Sequence, residues 1–160
     1  ILRSNKKEIE EHNTVVDLLR NDLNGISTNV KVDKFRVLTE IKNSKGGLLQ
    51  THSEITGKLS KNWEKKIGTI IMNLLPAGSI SGAPKRQTLS IIRDIEQIPR
   101  NYYTGIFGYF DGKSLDSGIL IRFIEKNEGK FYYRTGCGIT VNSIIEDEFN
   151  ELQKKIYVPF

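Results

Sequence analysis

Two carboxylate pairs stand near opposite ends of this sequence, Glu8 with Glu11 and Glu148 with Glu151, each pair three residues apart. On a helix that spacing puts both side chains on one face, and either pair alone reads as an ordinary solvated charge pair. Facing one another, the two pairs would gather more like charge than a cleft tolerates. A hard divalent cation relieves such a cluster, and magnesium takes one or two carboxylates together with waters and substrate oxygens. Between the pairs lies GSISGAPKRQ, Gly78 to Gln87. Gly78 and Gly82 permit close backbone approach, and Pro84 suits a first helical turn, so a helix is predicted from Ala83 or Pro84. Its free N–H groups and Lys85 would then face one small volume, an anion seat. An ordinary capped loop between two helices is the alternative, and the absent GK[ST] ending excludes a nucleotide P-loop.

Three further features could do chemistry. Arg122 sits in the apolar run GILIRFI, where an unpaired buried charge costs on the order of several kcal/mol, so it should meet an anion, whether a ligand or a structural carboxylate. TGCGITVNS, Thr135 to Ser143, is a second small-residue loop in which Gly136 and Gly138 clear space beside the backbone. His52 stands amid polar neighbours, and a lone histidine is more often a structural hydrogen-bonder than a catalyst.

The elements that would position these residues follow from periodicity. Val15, Val16, Leu19 and Leu23 recur at three and four, predicting a helix over Lys6–Leu23 that stops at Asn24-Gly25. Asn29–Ile41 alternates as extended chain with a break at Asp33-Lys34; Asn43–Gly47 reads as a turn and Leu48–Leu59 as a strand carrying His52. Trp63–Leu75 has helical spacing and ends at Pro76, and Pro84–Ile98 is a second helix with Leu89, Ile92 and Ile95 inward. Tyr103–Phe110, Ser117–Glu125 and Lys130–Thr135 read as a three-stranded antiparallel meander with turns at Asp111-Gly112 and Asn127-Glu128-Gly129. A final helix from Ile145 to Ile156 carries Glu148, Glu151 and Lys155 on one face.

With 160 residues, 38% hydrophobic and 27% charged, the chain can bury one real core. Its net charge of +5 suits nucleic acid or a small polyanionic substrate, but the lysines are scattered and argue against a nucleic-acid surface. Cys137 is the one cysteine, which excludes a disulfide framework and a cysteine-built zinc site and fits a reducing cytoplasm. No apolar run approaches the roughly 18 residues of a membrane span. The opening on Ile1, in the approach to a helix, predicts a single partial domain over 1–160 belonging to something longer.

Four blocks then carry a resemblance: EEHNTVVDLLRNDL, LPAGSISGAPKRQTLSII, YYTGIFGYFDGKSLDSGILIRF and TGCGITVNSIIEDEFNELQKKI. In order and spacing they resemble the C-terminal part of the chorismate-utilising enzymes, which include the anthranilate, para-aminobenzoate (aminodeoxychorismate), isochorismate and salicylate synthases. The GAPK form of the loop is similar to the ammonia-using synthases. YYTGIFGYFDGKSLDSGILIRF and the ending KKIYVPF resemble most the para-aminobenzoate branch, component I, with anthranilate synthase component I as the alternative. A basic, non-enzymatic module that binds anions or nucleic acid is the reading of another class; it would show affinity for oligonucleotides that falls steeply with salt.

The resemblance implies an α/β (α+β) fold, a sandwich of antiparallel sheets with flanking helices, of which this chain holds part, so that apolar sheet surface would be left uncovered. It implies Mg2+ bound by Glu11 and Glu151, with Glu8 and Glu148 holding its waters. His52 would lie close to the ring oxygen of chorismate, Gly78, Ser79, Tyr103, Arg122, Gly136 and Gly138 would line the substrate pocket, and Lys155 would add charge beside Glu151. A glutamine amidotransferase subunit or domain would supply the ammonia that becomes the 4-amino group of 4-amino-4-deoxychorismate. Two departures stand out. The PIKGT segment, which supplies the lysine nucleophile in the para-aminobenzoate branch, would fall just before Ile1, so the chain is not expected to turn over alone. Cys137 also replaces the usual glycine or alanine of the second glycine loop.

Overall fold

The computed structural model describes residues 6–43 and 46–156 as two compact units, 1–99 and 100–160. The first begins with α1, Lys6–Asn24. Val16 is its buried residue, and the helix closes where Gly25 N–H donates to the Asp22 carbonyl and both Ile26 and Ser27 donate to that of Leu23. The expected stop at Asn24-Gly25 is therefore observed.

Strands β1, Thr28–Asn43, and β2, Gly46–Lys58, form one long antiparallel hairpin that packs on α1. Its ladder slips between Val32 and Lys34 and again between Lys34 and Val37, where the sequence shows the Asp33-Lys34 break. An ion pair and a hydrogen bond bridge the irregular stretch: Lys34 Nζ lies 2.7 Å from Glu54 Oε1, and the Thr56 hydroxyl donates to Asp33 at 2.6 Å. The turn expected at Asn43–Gly47 centres on residues 44–45, which lie outside the described residues.

The expected helix over Trp63–Leu75 is divided into a 3-10 turn at Trp63–Lys66 and α2, Ile67–Leu74. GSISG is not an open loop. Gly78–Ser81 makes a single helical turn, α3, and Gly82 follows at φ 69°, a backbone state that costs glycine nothing. Pro84 is extended and caps the next helix instead of opening it. Its carbonyl accepts the amides of Gln87 and Thr88, and α4 runs Lys85–Glu96. Gln97, in the left-handed conformation, ends α4 short of Ile98, and Ile95 is 74% exposed, against the inward position expected.

The second unit replaces the expected three-stranded meander by two separate hairpins. Strands β3, Ile106–Phe110, and β4, Leu115–Ile119, form the first; β5, Phe123–Asn127, and β6, Lys130–Arg134, form the second. The expected strand Ser117–Glu125 breaks at 120–122 because Leu120 exchanges backbone hydrogen bonds with Thr104 and Gly105, and Ile121 N–H turns back to Ile119. Helix α5, Ile145–Lys154, completes a mixed α+β architecture of small antiparallel sheets and helices. Among the described residues only Val16 and Ala77 are buried apolar side chains, while Phe107, Tyr109, Phe131, Val141 and Phe149 are all more than half exposed.

The turn joining β3 to β4 is built on one carboxylate. Asp111 accepts the amides of Ser114 at 2.7 Å and Lys113 at 2.8 Å, and the Ser114 hydroxyl at 3.0 Å. The Ser114 amide first, then the Lys113 amide and the Ser114 hydroxyl, hold the Asp111 carboxyl below its ordinary 3.8. A lowered carboxyl stabilises the fold fully above its unfolded value and loses that contribution as pH falls through the folded one. Urea midpoints measured downward from about pH 4.5 should therefore fall less steeply in Asp111→Asn than in the wild type.

Candidate functional site

In the first unit the residues of interest gather along α1. Glu8 and Glu11 are half-buried on its N-terminal half, and Glu11 Oε1 lies 3.8 Å from Lys7 Nζ. His12 joins the helix to the hairpin. Its Nε2 is 2.7 Å from Ser53 Oγ, which also accepts the Arg36 amide at 3.0 Å, and its ring meets Phe35 edge-on at 5.8 Å. Burial first, then the charges of Arg36 and His52, push the His12 pKa down, so the neutral ring is favoured and Ser53 can donate to it. His52 lies opposite Val37 on β2, with Nδ1 3.2 Å from Thr39 Oγ1. Its charge acts on His12, Glu11's neighbour on the helix.

At the other end of α1 two donors of the glycine stretch, Lys85 among them, are engaged by a carboxylate of the protein itself. The Gly78 amide donates to Asp22 Oδ2 at 2.8 Å, and Lys85 Nζ lies 2.9 Å from Asp22 Oδ1. Gly78 is required here, since a Cβ would come within 2.8 Å of Leu18 Cβ and 2.9 Å of the same carboxylate oxygen. Ser79 is exposed on α3, and Ser81 is buried.

In the second unit Arg122 departs from expectation. It is exposed at the bend between β4 and β5, not buried in a strand, because the Leu120 bonds end the ladder before it. Its burial therefore carries no argument for an anion. Tyr103 and Gly136 are brought into contact: the Tyr103 hydroxyl occupies the place that a Cβ on residue 136 would take, and Cζ would lie 3.2 Å from it. Gly138 is exposed, with open space where a Cβ would be built. Glu148 is 5% exposed and accepts the Ser143 hydroxyl at 2.7 Å, while Glu151 is ion-paired with Lys155. The Lys155 carbonyl accepts the Tyr133 hydroxyl at 3.1 Å.

The donor chemistry fits magnesium. Glu8, Glu11, Glu148 and Glu151 offer hard carboxylate oxygens, and the buried Glu148 is already oriented by a hydroxyl. Among the described residues no group of three or more His, Cys, Asp or Glu is gathered where it could hold a metal ion.

The chorismate binding enzyme family matches this chain over residues 1–160. The chain belongs to that family. An "Uncharacterized PabA-like protein" of Haemophilus influenzae is 54% identical over 158 residues, 99% of this chain and 48% of the relative. Aminodeoxychorismate synthase component 1 of Bacillus subtilis is 33% identical over 156 residues, 96% of this chain and 32% of its own. Anthranilate synthase component 1 of Acetivibrio thermocellus is 36% identical over 161 residues, again 96% of this chain and 31% of its own. The chain thus spans about half the length of the first and a third of the other two. No helix among the described residues is long and apolar enough to cross a membrane.

Sequence reasoning passed over Asp22, His12 with Ser53, and Ser143. Asp22 did leave a signal: an acidic side chain in the last turn of a helix opposes the macrodipole, and α1 has no basic residue there to offset it. Ser53 and Ser143 left none, because their partners are distant in sequence or across a loop.

The Tyr103–Gly136 contact is testable. Gly136→Ala should lower stability by about 1–3 kcal/mol through overpacking, and adding Tyr103→Phe should recover part of that loss. Equal urea midpoints for Gly136→Ala and the wild type would show that the hydroxyl is not seated there.

Proposed function

We propose that the chain is the chorismate-binding portion of an aminodeoxychorismate synthase component I, which aminates chorismate to 4-amino-4-deoxychorismate for para-aminobenzoate and folate synthesis in the cytoplasm. The observation that carries the reading is the family match over residues 1–160. The stretch from Tyr102 to Phe123, which resembles the para-aminobenzoate branch, favours that product. On this reading residues 1–160 are one partial domain of the antiparallel-sheet sandwich, and ammonia comes from a glutamine amidotransferase subunit or domain.

Glu11 and Glu151 serve as magnesium ligands, and Glu8 and Glu148 hold the ion's waters. Bound there, magnesium supplies a Lewis acid and template for the ring carboxylate as the hydroxyl leaves. The chain's own groups bind and orient. Amides of the Gly136–Gly138 stretch and the Arg122 guanidinium grip carboxylates, and the exposure of Arg122 leaves that fork available to a ligand. Tyr103 and Ser79 line the pocket with hydroxyls, and His52 hydrogen-bonds near the ring oxygen. Lys155, paired with Glu151, offsets charge beside the metal ligand.

A second reading, anthranilate synthase component I, is favoured by the relative of that name at 36% identity, slightly above the aminodeoxychorismate synthase relative at 33%. Product identity separates them. With chorismate, Mg2+ and ammonia, the full-length protein that carries this chain should form aminodeoxychorismate. Anthranilate with pyruvate would move it to the second reading, and isochorismate would overturn both. Glu151→Gln should weaken magnesium binding, read by calorimetry, by about tenfold or more. Arg122→Ala should raise the chorismate KM by roughly tenfold, the loss of one charged hydrogen-bonding group; an unchanged KM would remove Arg122 from the site.

A further inference from the structure

The Asp22 carboxylate is 11% exposed, too buried to be solvated by water alone, and both its oxygens are engaged. One holds the backbone of Gly78, the first residue of α3; the other holds Lys85, the first residue of α4. The glycine stretch between them is thus fastened at both ends to a single side chain on a third helix. The closeness of the fastening is set by the absence of a side chain at 78, since a Cβ would be driven against Leu18 and Asp22.

Asp22 also shares a helix with the acid pair. It lies eleven residues after Glu11, close to three whole turns, which returns it to the same face of α1 roughly 16 Å along the axis. A helix is stiff over that distance. The position of the glycine stretch relative to Glu11 is therefore set by two short bonds at one end of a rod that carries Glu11 near the other.

We propose that Asp22 is a positioning residue, which fixes the 78–82 stretch in register with the acid-bearing face of α1 so that this stretch meets the substrate in one defined place. The role rests on the proposed function, in which that stretch lines the chorismate pocket. Asp22 touches no reacting atom. Its carboxylate also keeps the Gly78 amide from other acceptors and neutralises the Lys85 charge.

The test uses the full-length protein with Asp22→Asn, Asp22→Ala and Lys85→Met. Asparagine keeps an oxygen for the Gly78 amide and removes the charge that Lys85 pairs with; alanine removes both. We expect hydrogen exchange at the Gly78 amide to speed up strongly in Asp22→Ala and only slightly in Asp22→Asn, with β3–β4 amides unchanged in both. The chorismate KM should rise at least tenfold in Asp22→Ala, less in Asp22→Asn and Lys85→Met, while kcat stays within about threefold and magnesium affinity is preserved. A merely structural role would lower apparent kcat with the folded fraction and leave KM unmoved, and that result would overturn the proposal. Unchanged Gly78 exchange in Asp22→Ala would overturn the clamp itself, whatever the enzyme's activity. A wild-type protein with no saturable response to chorismate would instead overturn the functional reading and the substrate role, and the exchange measurement would still report on the clamp.

Discussion

A carboxylate taken out of water must be repaid in hydrogen bonds and opposite charge, and the first unit is arranged so that Asp22 is. The requirement reaches far along the chain. It needs a residue without a side chain at 78, a cation at 85, and the end of α1 close enough for both. The one-turn helix α3 forms between those fixed points. Its own bonds, from Ser81 and Gly82 back to Ala77 and Gly78, are too few to hold it alone. Lys85, expected in sequence to face a bound anion, is paired with an anion that belongs to the protein.

The same economy recurs at His12 and Glu148. In each case a polar side chain with little water is held by a serine from another part of its unit, Ser53 on the hairpin and Ser143 before α5. These serines orient the two stretches that carry the candidate metal ligands. Hydrogen bonds of this kind add modest net stability but specify orientation, because leaving either partner unpaired costs more than making the bond gains.

Much of this was legible in the sequence where one periodicity ruled. Val15, Val16, Leu19 and Leu23 announced α1, and the Asp33-Lys34 interruption marked where the β1–β2 ladder slips. Legibility failed where a distant backbone partner decided the outcome. Nothing within GILIRFI shows that Leu120 will bond to Thr104 and Gly105, yet those bonds end the strand and bring Arg122 to the surface. Pro84 was readable as a helix start, but whether it opened or capped the helix depended on its ψ, which at 128° is extended. The family resemblance was carried by blocks of residues in order, and it survived these local errors because none of them changes the order of the blocks.

The Asp111 turn has a reach beyond its own four residues. It sets the pairing of Phe110 with Leu115, and that phase is handed residue by residue along the ladder to Ile106 opposite Ile119, then to the bonds of Leu120 with Thr104 and Gly105. Side chains alternate between faces along a strand, so a single inserted or deleted residue at the turn inverts the parity of everything downstream of it. Tyr103 and Arg122 flank the far end of that ladder. Evolution can thus change the letters of the turn with little effect, but a change in its length is a frameshift in three dimensions, felt five rungs away where the two side chains emerge.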